Sequence, residues 1–128
     1  MTGPTPSESC CQRARNVLLL ACSGAANVGE VADRACRQLM REKCGSMFCL
    51  AGLGGDIATM VETARDADVN VVVDGCEVDC GRRTLERHGL RNVMHVRITD
   101  LDIEKTKGAP ATDEQVSVVV RHVKEKLG

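Results

Sequence analysis

Eight cysteines carry the most distinctive chemistry in this 128-residue chain: Cys10, Cys11, Cys22, Cys36, Cys44, Cys49, Cys76 and Cys80. A thiolate is a nucleophile, a redox group and a soft metal ligand. An even count also allows a disulfide framework, but such frameworks belong to small secreted domains that lack a core. The opening residues, MTGPTPSES, have neither the basic nor the apolar region of a signal peptide. The expected compartment is therefore the cytoplasm, where thiols stay reduced. Metal binding or thiol chemistry is the expected use of the cysteines.

Two of them close the stretch Val71–Cys80, VVVDGCEVDC. A β-branched run opens onto Asp74, Gly75 and Cys76, and Cys80 follows four positions on. At a helix start this i, i+4 spacing puts both sulfurs on one face. It is not the C-x₂-C pair of ordinary zinc ribbons or thioredoxin-like motifs. Gly75 permits a tight turn or a close backbone approach. A helix N-terminus beside Cys76 favours thiolate over thiol. Arg82 and Arg83 offset part of the negative charge that Asp74 and Asp79 add.

Hydrophobic periodicity predicts the elements that position these thiols. Asn16–Ala21 (NVLLLA) is a short apolar run, a buried strand. Asn27, with Glu30 three residues on, predicts a capping box. Val28, Val31, Ala32, Ala35 and Leu39 form the apolar stripe of the helix that follows, and Gly45 stops it. Ser46–Ala51 is a second strand and GLGGD the loop after it. Asp56 is expected to cap a helix with the stripe Ile57, Met60, Val61 and Ala64. Val69–Val73 is the third strand, and a short polar helix is expected from Val78 to His88. Asn92–Thr99 is the fourth strand. Thr112 with Gln115 is a second capping box, before a stripe of Val116, Val119, Val120, Val123 and Leu127. Its β-branched run has poor helix propensity, but the cap, the spacing and the lysines of the last turn agree on helix. Residues 1–12 read as a tail ending in Cys10-Cys11, and residues 13–128 as a single domain.

Strand and helix alternate four times. Near-continuous apolar strands between amphipathic helices imply a parallel sheet covered on both faces. The expected fold is a small doubly wound, Rossmann-like or flavodoxin-like, three-layer α/β domain with four strands in the order 2-1-3-4. Ligands bind such sheets at the carboxyl ends of the strands, where the winding reverses. Cys22 follows the first strand, Cys49 lies near the exit of the second, Cys76 ends the third and Cys80 comes soon after. Four thiolates from three strands suit a tetrahedral site of the kind zinc prefers. Such a site adds on the order of 10 kcal/mol where folding and binding are coupled. The plain alternative is that these cysteines are small buried hydrophobes. If Cys49 points into the core, three ligands leave an open position. Cys36 fits the apolar side of the first helix and Cys44 its end. Cys10 and Cys11 are either spectators or extra ligands or redox partners.

Other readings find less support. The charges balance to −1, and one Phe with no Tyr or Trp leaves no stacking surface for nucleic acid. No apolar run reaches the roughly 18 residues of a membrane span. The glycines of GAANVG have phosphate-loop spacing, but Glu30-Val31 stands where Lys-Ser/Thr is required. GLGGD lacks a third glycine because Ile57 stands there, and a cysteine phosphatase arginine is missing because position 28 is Val. His88, His95 and His122 are scattered and are not expected to be ligands.

ACSGAANVGEVADRACRQL, MFCLAGLGG, VVVDGCEVDCGRRTLERHG and VRITDLDIEK together resemble successive blocks of the DGC-domain family, named for its Asp-Gly-Cys motif. The resemblance covers about residues 10–107 in order. It implies zinc binding, with Cys22, Cys49, Cys76 and Cys80 as ligands and Asp74 and Gly75 completing the motif. It implies no particular enzymatic activity. The expected function is a cytoplasmic zinc-binding protein with no nucleic-acid or membrane partner. A thiol-redox or sulfur-transfer enzyme and an iron–sulfur protein are the alternatives, since Cys₄ also holds iron–sulfur clusters.

Overall fold

The computed structural model describes residues 15–128. Cys10, Cys11 and the expected tail lie outside the described residues. Four parallel strands form one sheet in the order β2-β1-β3-β4, as expected. They are β1 (Val17–Ala21), β2 (Ser46–Met47), β3 (Val69–Asp74) and β4 (Val93–Arg97). The helices are α1 (Asn27–Arg41), α2 (Leu50–Gly54), α3 (Ala58–Asp66), α4 (Cys80–Arg87) and α5 (Asp113–Leu127), with a 3₁₀ turn at Ile98–Leu101. No helix among the described residues is long and apolar enough to cross a membrane.

The strand period of two sorts the core into two layers. Val17 and Leu19 of β1 and Val71 and Val73 of β3 face α1 and α5, meeting Val31, Leu39, Val119 and Val123. Leu18, Leu20 and Val72 face the other way, onto Leu53, Val61, Ala64 and Leu85 of α2, α3 and α4. A sheet apolar on both faces needs cover on both, which is why its strands read as unbroken apolar runs.

Local chemistry departs from expectation at four places. β2 spans Ser46–Met47 of the expected Ser46–Ala51, and the glycine-rich segment after it folds into α2. A Cβ at Gly52 would overlap Met60 Sδ, so the Met60 side chain would have to move, and buried Leu53 anchors the turn. The capping box at α1 does not form. The Asn27 amide instead donates to Glu104 O (2.9 Å) and accepts from Thr106 N (2.7 Å), while Glu30 Oε1 accepts Ala111 N. Asp56 has left-handed backbone and gives its carboxylate to Arg87 at 2.6 Å, so it does not cap α3. Finally, α4 begins at Cys80, two residues later than expected, because its amides find their acceptor on β3. The Thr112–Gln115 box does form, with both bonds at 3.1 Å, and α5 is helical despite its β-branched run.

Gly75 shows how tightly the sheet edge meets α1. A Cβ there would stand 2.7 Å from Val28 Cγ2 and 3.2 Å from the Val28 backbone carbon. The backbone cannot yield as a side-chain tip would. Gly75→Ala is expected to destabilise the fold by about 1–3 kcal/mol, the usual cost of overpacking. Urea unfolding reads this directly, and an unchanged midpoint would show that the contact relaxes freely.

Candidate metal centre

The carboxyl edge of the sheet gathers polar groups around Asp74, the last residue of β3 and only 1% exposed. Its Oδ1 accepts the Gly81 N–H at 2.7 Å and its Oδ2 the Arg82 N–H at 3.0 Å. These are orphan amides of the first turn of α4, so a strand residue performs the capping. Gly81 is small because a Cβ would sit 2.7 Å from both Asp74 Oδ1 and Val72 Cγ1. His95 Nε2 donates to Asp74 Oδ2 at 2.9 Å.

Two thiols stand beside this carboxylate. Cys22 follows β1, is 6% exposed, and its Sγ accepts the Gly75 N–H at 3.1 Å. Cys80 opens α4, with Sγ 3.8 Å from Asp74 Oδ1. One ligand atom from each of Cys22, Asp74 and Cys80 lies within 4.8 Å of the other two. Tetrahedral zinc with metal–sulfur bonds of about 2.3 Å holds its sulfurs about 3.8 Å apart. The donors therefore need only a small closing movement. Burial pushes the Cys22 thiol up to about 12, outweighing the Gly75 hydrogen bond, and Cys80, Asp74 and Cys76 add to the rise. Burial, followed by the Asp74 carboxylate, raises the Cys80 thiol as well.

The other two expected ligands are not in that group. Cys76 sits in the bend between Gly75 and α4, before the helix begins, so the helical i, i+4 argument does not apply to it. It shares a cavity of about 100 Å³ with Cys22, Cys80 and Asp79, and its Sγ accepts from Lys105 Nζ at 3.3 Å. Cys49 is exposed and immediately precedes α2, beyond the end of β2. It lines a larger cleft of about 570 Å³ with Cys22, Glu30, Asp33 and Phe48. Cys36 is fully buried in the core, as expected, and Cys44 is also buried.

Asp74, Asp79 and His95 form a second group of close polar atoms. Asp79 is 3% exposed and has left-handed backbone at φ 53° just before α4. Arg97 donates to both its oxygens, Nε at 2.9 Å and Nη2 at 2.5 Å. Arg82 lies 3.1 Å away and His95 3.4 Å. The Arg97 hydrogen bonds hold the Asp79 carboxyl below the usual carboxylate range despite burial. With Arg97, Arg82 and His95 facing it, the Asp79 carboxylate already has its partners within the protein. The group fixes the strained start of α4, and its donors suit a metal less well than the thiol pair.

Of the two expected charge-balancing arginines, Arg82 pairs with Asp79, while Arg83 donates to the Val78 carbonyl at 2.8 Å. Sequence reasoning missed His95 and Arg97. Their signal was the strand period: two residues apart in β4, they share a face at the sheet's carboxyl edge. Lys105 carried no local signal, because its place depends on how Asn27 pins a distant loop.

The DGC-domain family profile matches residues 18–123. A relative from Pseudomonas aeruginosa, the anaerobic and virulence modulator AnvM, is 33% identical over 91 residues, covering 71% of this chain and 70% of that protein. No solved structure matches the chain.

Proposed function

The chain belongs to the DGC-domain family, and from that premise we propose that it is a cytoplasmic zinc-binding protein. Cys22 and Cys80 supply thiolates and Asp74 a carboxylate. The observation that carries this reading is the convergence of these three donors from β1, β3 and α4. The raised pKa values of the two thiols support a metal ligand over a nucleophile. A reactive cysteine sits where its thiolate is favoured. Cys22 and Cys80 sit where burial and a carboxylate disfavour it, so at neutral pH they remain thiols unless a cation displaces the protons. This counts against thiol-redox or sulfur-transfer chemistry at these two sulfurs. An iron–sulfur cluster normally takes four thiolates, whereas the close group among the described residues holds two, Cys22 and Cys80.

The three donors gathered among the described residues would leave a fourth position of a tetrahedral site open. When bound, zinc would supply Lewis acidity there. Asp74 holds both thiols in register, since its carboxylate fixes the start of α4 and lies beside Cys22. The relative's name, a modulator, favours a regulatory role over a hydrolytic one.

Anaerobic purification with metal analysis tests this reading. About one zinc per chain is expected, with about two thiols freed by a chelator and about two protons released on rebinding near neutral pH. Because both thiols carry raised pKa values, protons compete with the metal, and affinity should rise as pH increases. A folded, reduced chain that takes up no zinc would overturn the reading.

A further inference from the structure

We propose that Cys76 and Lys105 form a thiol–amine acyl-transfer pair, making Lys105 a site of N-acylation by short acyl thioesters. Lys105 Nζ lies 3.3 Å from Cys76 Sγ, and both backbones are tied down. The buried Asn27 side chain bonds the residues flanking Lys105, to Glu104 O and from Thr106 N. Cys76 is held by the Gly75 N–H on Cys22 Sγ, the Thr99 N–H on Gly75 O and the Asp79 N–H on its own carbonyl. The fold therefore sets the two backbones within reach of each other, and the exposed Lys105 side chain spans the gap to Cys76. Lys105 is exposed and Cys76 half-buried, so a carrier can reach both. The adjoining cavity of about 100 Å³, which Gly24 and Gly75 help to line, suits a short acyl group such as acetyl. Cys76 lies outside the Cys22–Asp74–Cys80 group but shares this cavity with Cys22 and Cys80, so an acyl group and a metal would compete for the space, and the test uses the chain stripped of metal.

The steps balance without an oxidant. Cys76 Sγ attacks the thioester carbonyl, the carrier's carbon–sulfur bond breaks, and the carrier leaves as a thiol with the proton Cys76 gave up. Lys105 Nζ gives its ammonium proton to solvent and, as the amine, attacks the new thioester. A carbon–nitrogen bond forms, the bond to Cys76 Sγ breaks, and the amine proton returns the sulfur to a thiol. Holding amine and thioester together makes the second step intramolecular, which is the source of its advantage. The product has lost the Lys105 charge and its contact with Cys76.

The test incubates the purified chain, stripped of metal, with acetyl-coenzyme A and maps acetylation by peptide mass spectrometry. Lys105 is expected to react at least about tenfold faster than the other exposed lysines. Cys76→Ala should bring it down to their rate. Lys105→Arg should leave a hydroxylamine-sensitive acetyl group on Cys76. Lys105 reacting no faster than its neighbours, or at an unchanged rate in Cys76→Ala, would overturn the proposal.

Discussion

Cys22→Ser is expected to weaken zinc binding about a hundredfold or more. Structural zinc sites bind with about 10–16 kcal/mol, so one donor in four accounts for about 3 kcal/mol, about two powers of ten. The serine oxygen can still accept the Gly75 N–H that Cys22 Sγ accepts at 3.1 Å, so the variant should keep its fold while losing the metal. Cys80→Ser should lose a similar amount. Cys49→Ser should lose little, because Cys49 stands outside the donor group. Competition against a chromophoric chelator measures all three. Equal losses in Cys22→Ser and Cys49→Ser would favour the four-thiol set expected from the sequence, and no loss in Cys22→Ser would remove the site altogether.

Asp74→Ala is expected to cost about 3–5 kcal/mol of folding stability in the metal-free protein, the usual result of removing one partner from a buried charged network. The Asp74 side chain satisfies the Gly81 and Arg82 amides and hydrogen-bonds His95 Nε2 while almost wholly buried. Its removal leaves two amides and an imidazole without that acceptor. Asp74→Asn keeps one oxygen and should fall between wild type and Asp74→Ala. Urea denaturation of the three proteins, each stripped of metal, gives the ordering. A loss below about 1 kcal/mol for Asp74→Ala would mean that water replaces the carboxylate at little cost.

The same residue shows what the sequence could and could not reveal. The sheet, its strand order and both apolar layers were legible, because strands such as Val17–Ala21 and Val69–Asp74 carry the pattern of burial on two faces. The neighbourhood of Cys22 and Cys80 was legible from the rule that parallel sheets build sites at their carboxyl edge. The place of Asp74 beside those two thiols was not, since spacing counts cysteines and does not see a carboxylate reaching back from a strand to cap the next helix. The cap at Asn27 was misjudged for a related reason: its side chain has the right chemistry to cap α1, but a loop far along the chain takes it. Lys105 reaches Cys76 through that same loop. Contacts of this kind are tertiary, and no local period announces them.

X-ray absorption at the zinc edge tests the central claim most directly. The account predicts a first shell of about two sulfurs at about 2.3 Å, completed by oxygen or nitrogen at about 2.0 Å. A shell of nitrogen and oxygen alone would move the metal to Asp74, Asp79 and His95 and contradict the account. A four-sulfur shell would restore the all-thiolate site and contradict the role given to Asp74.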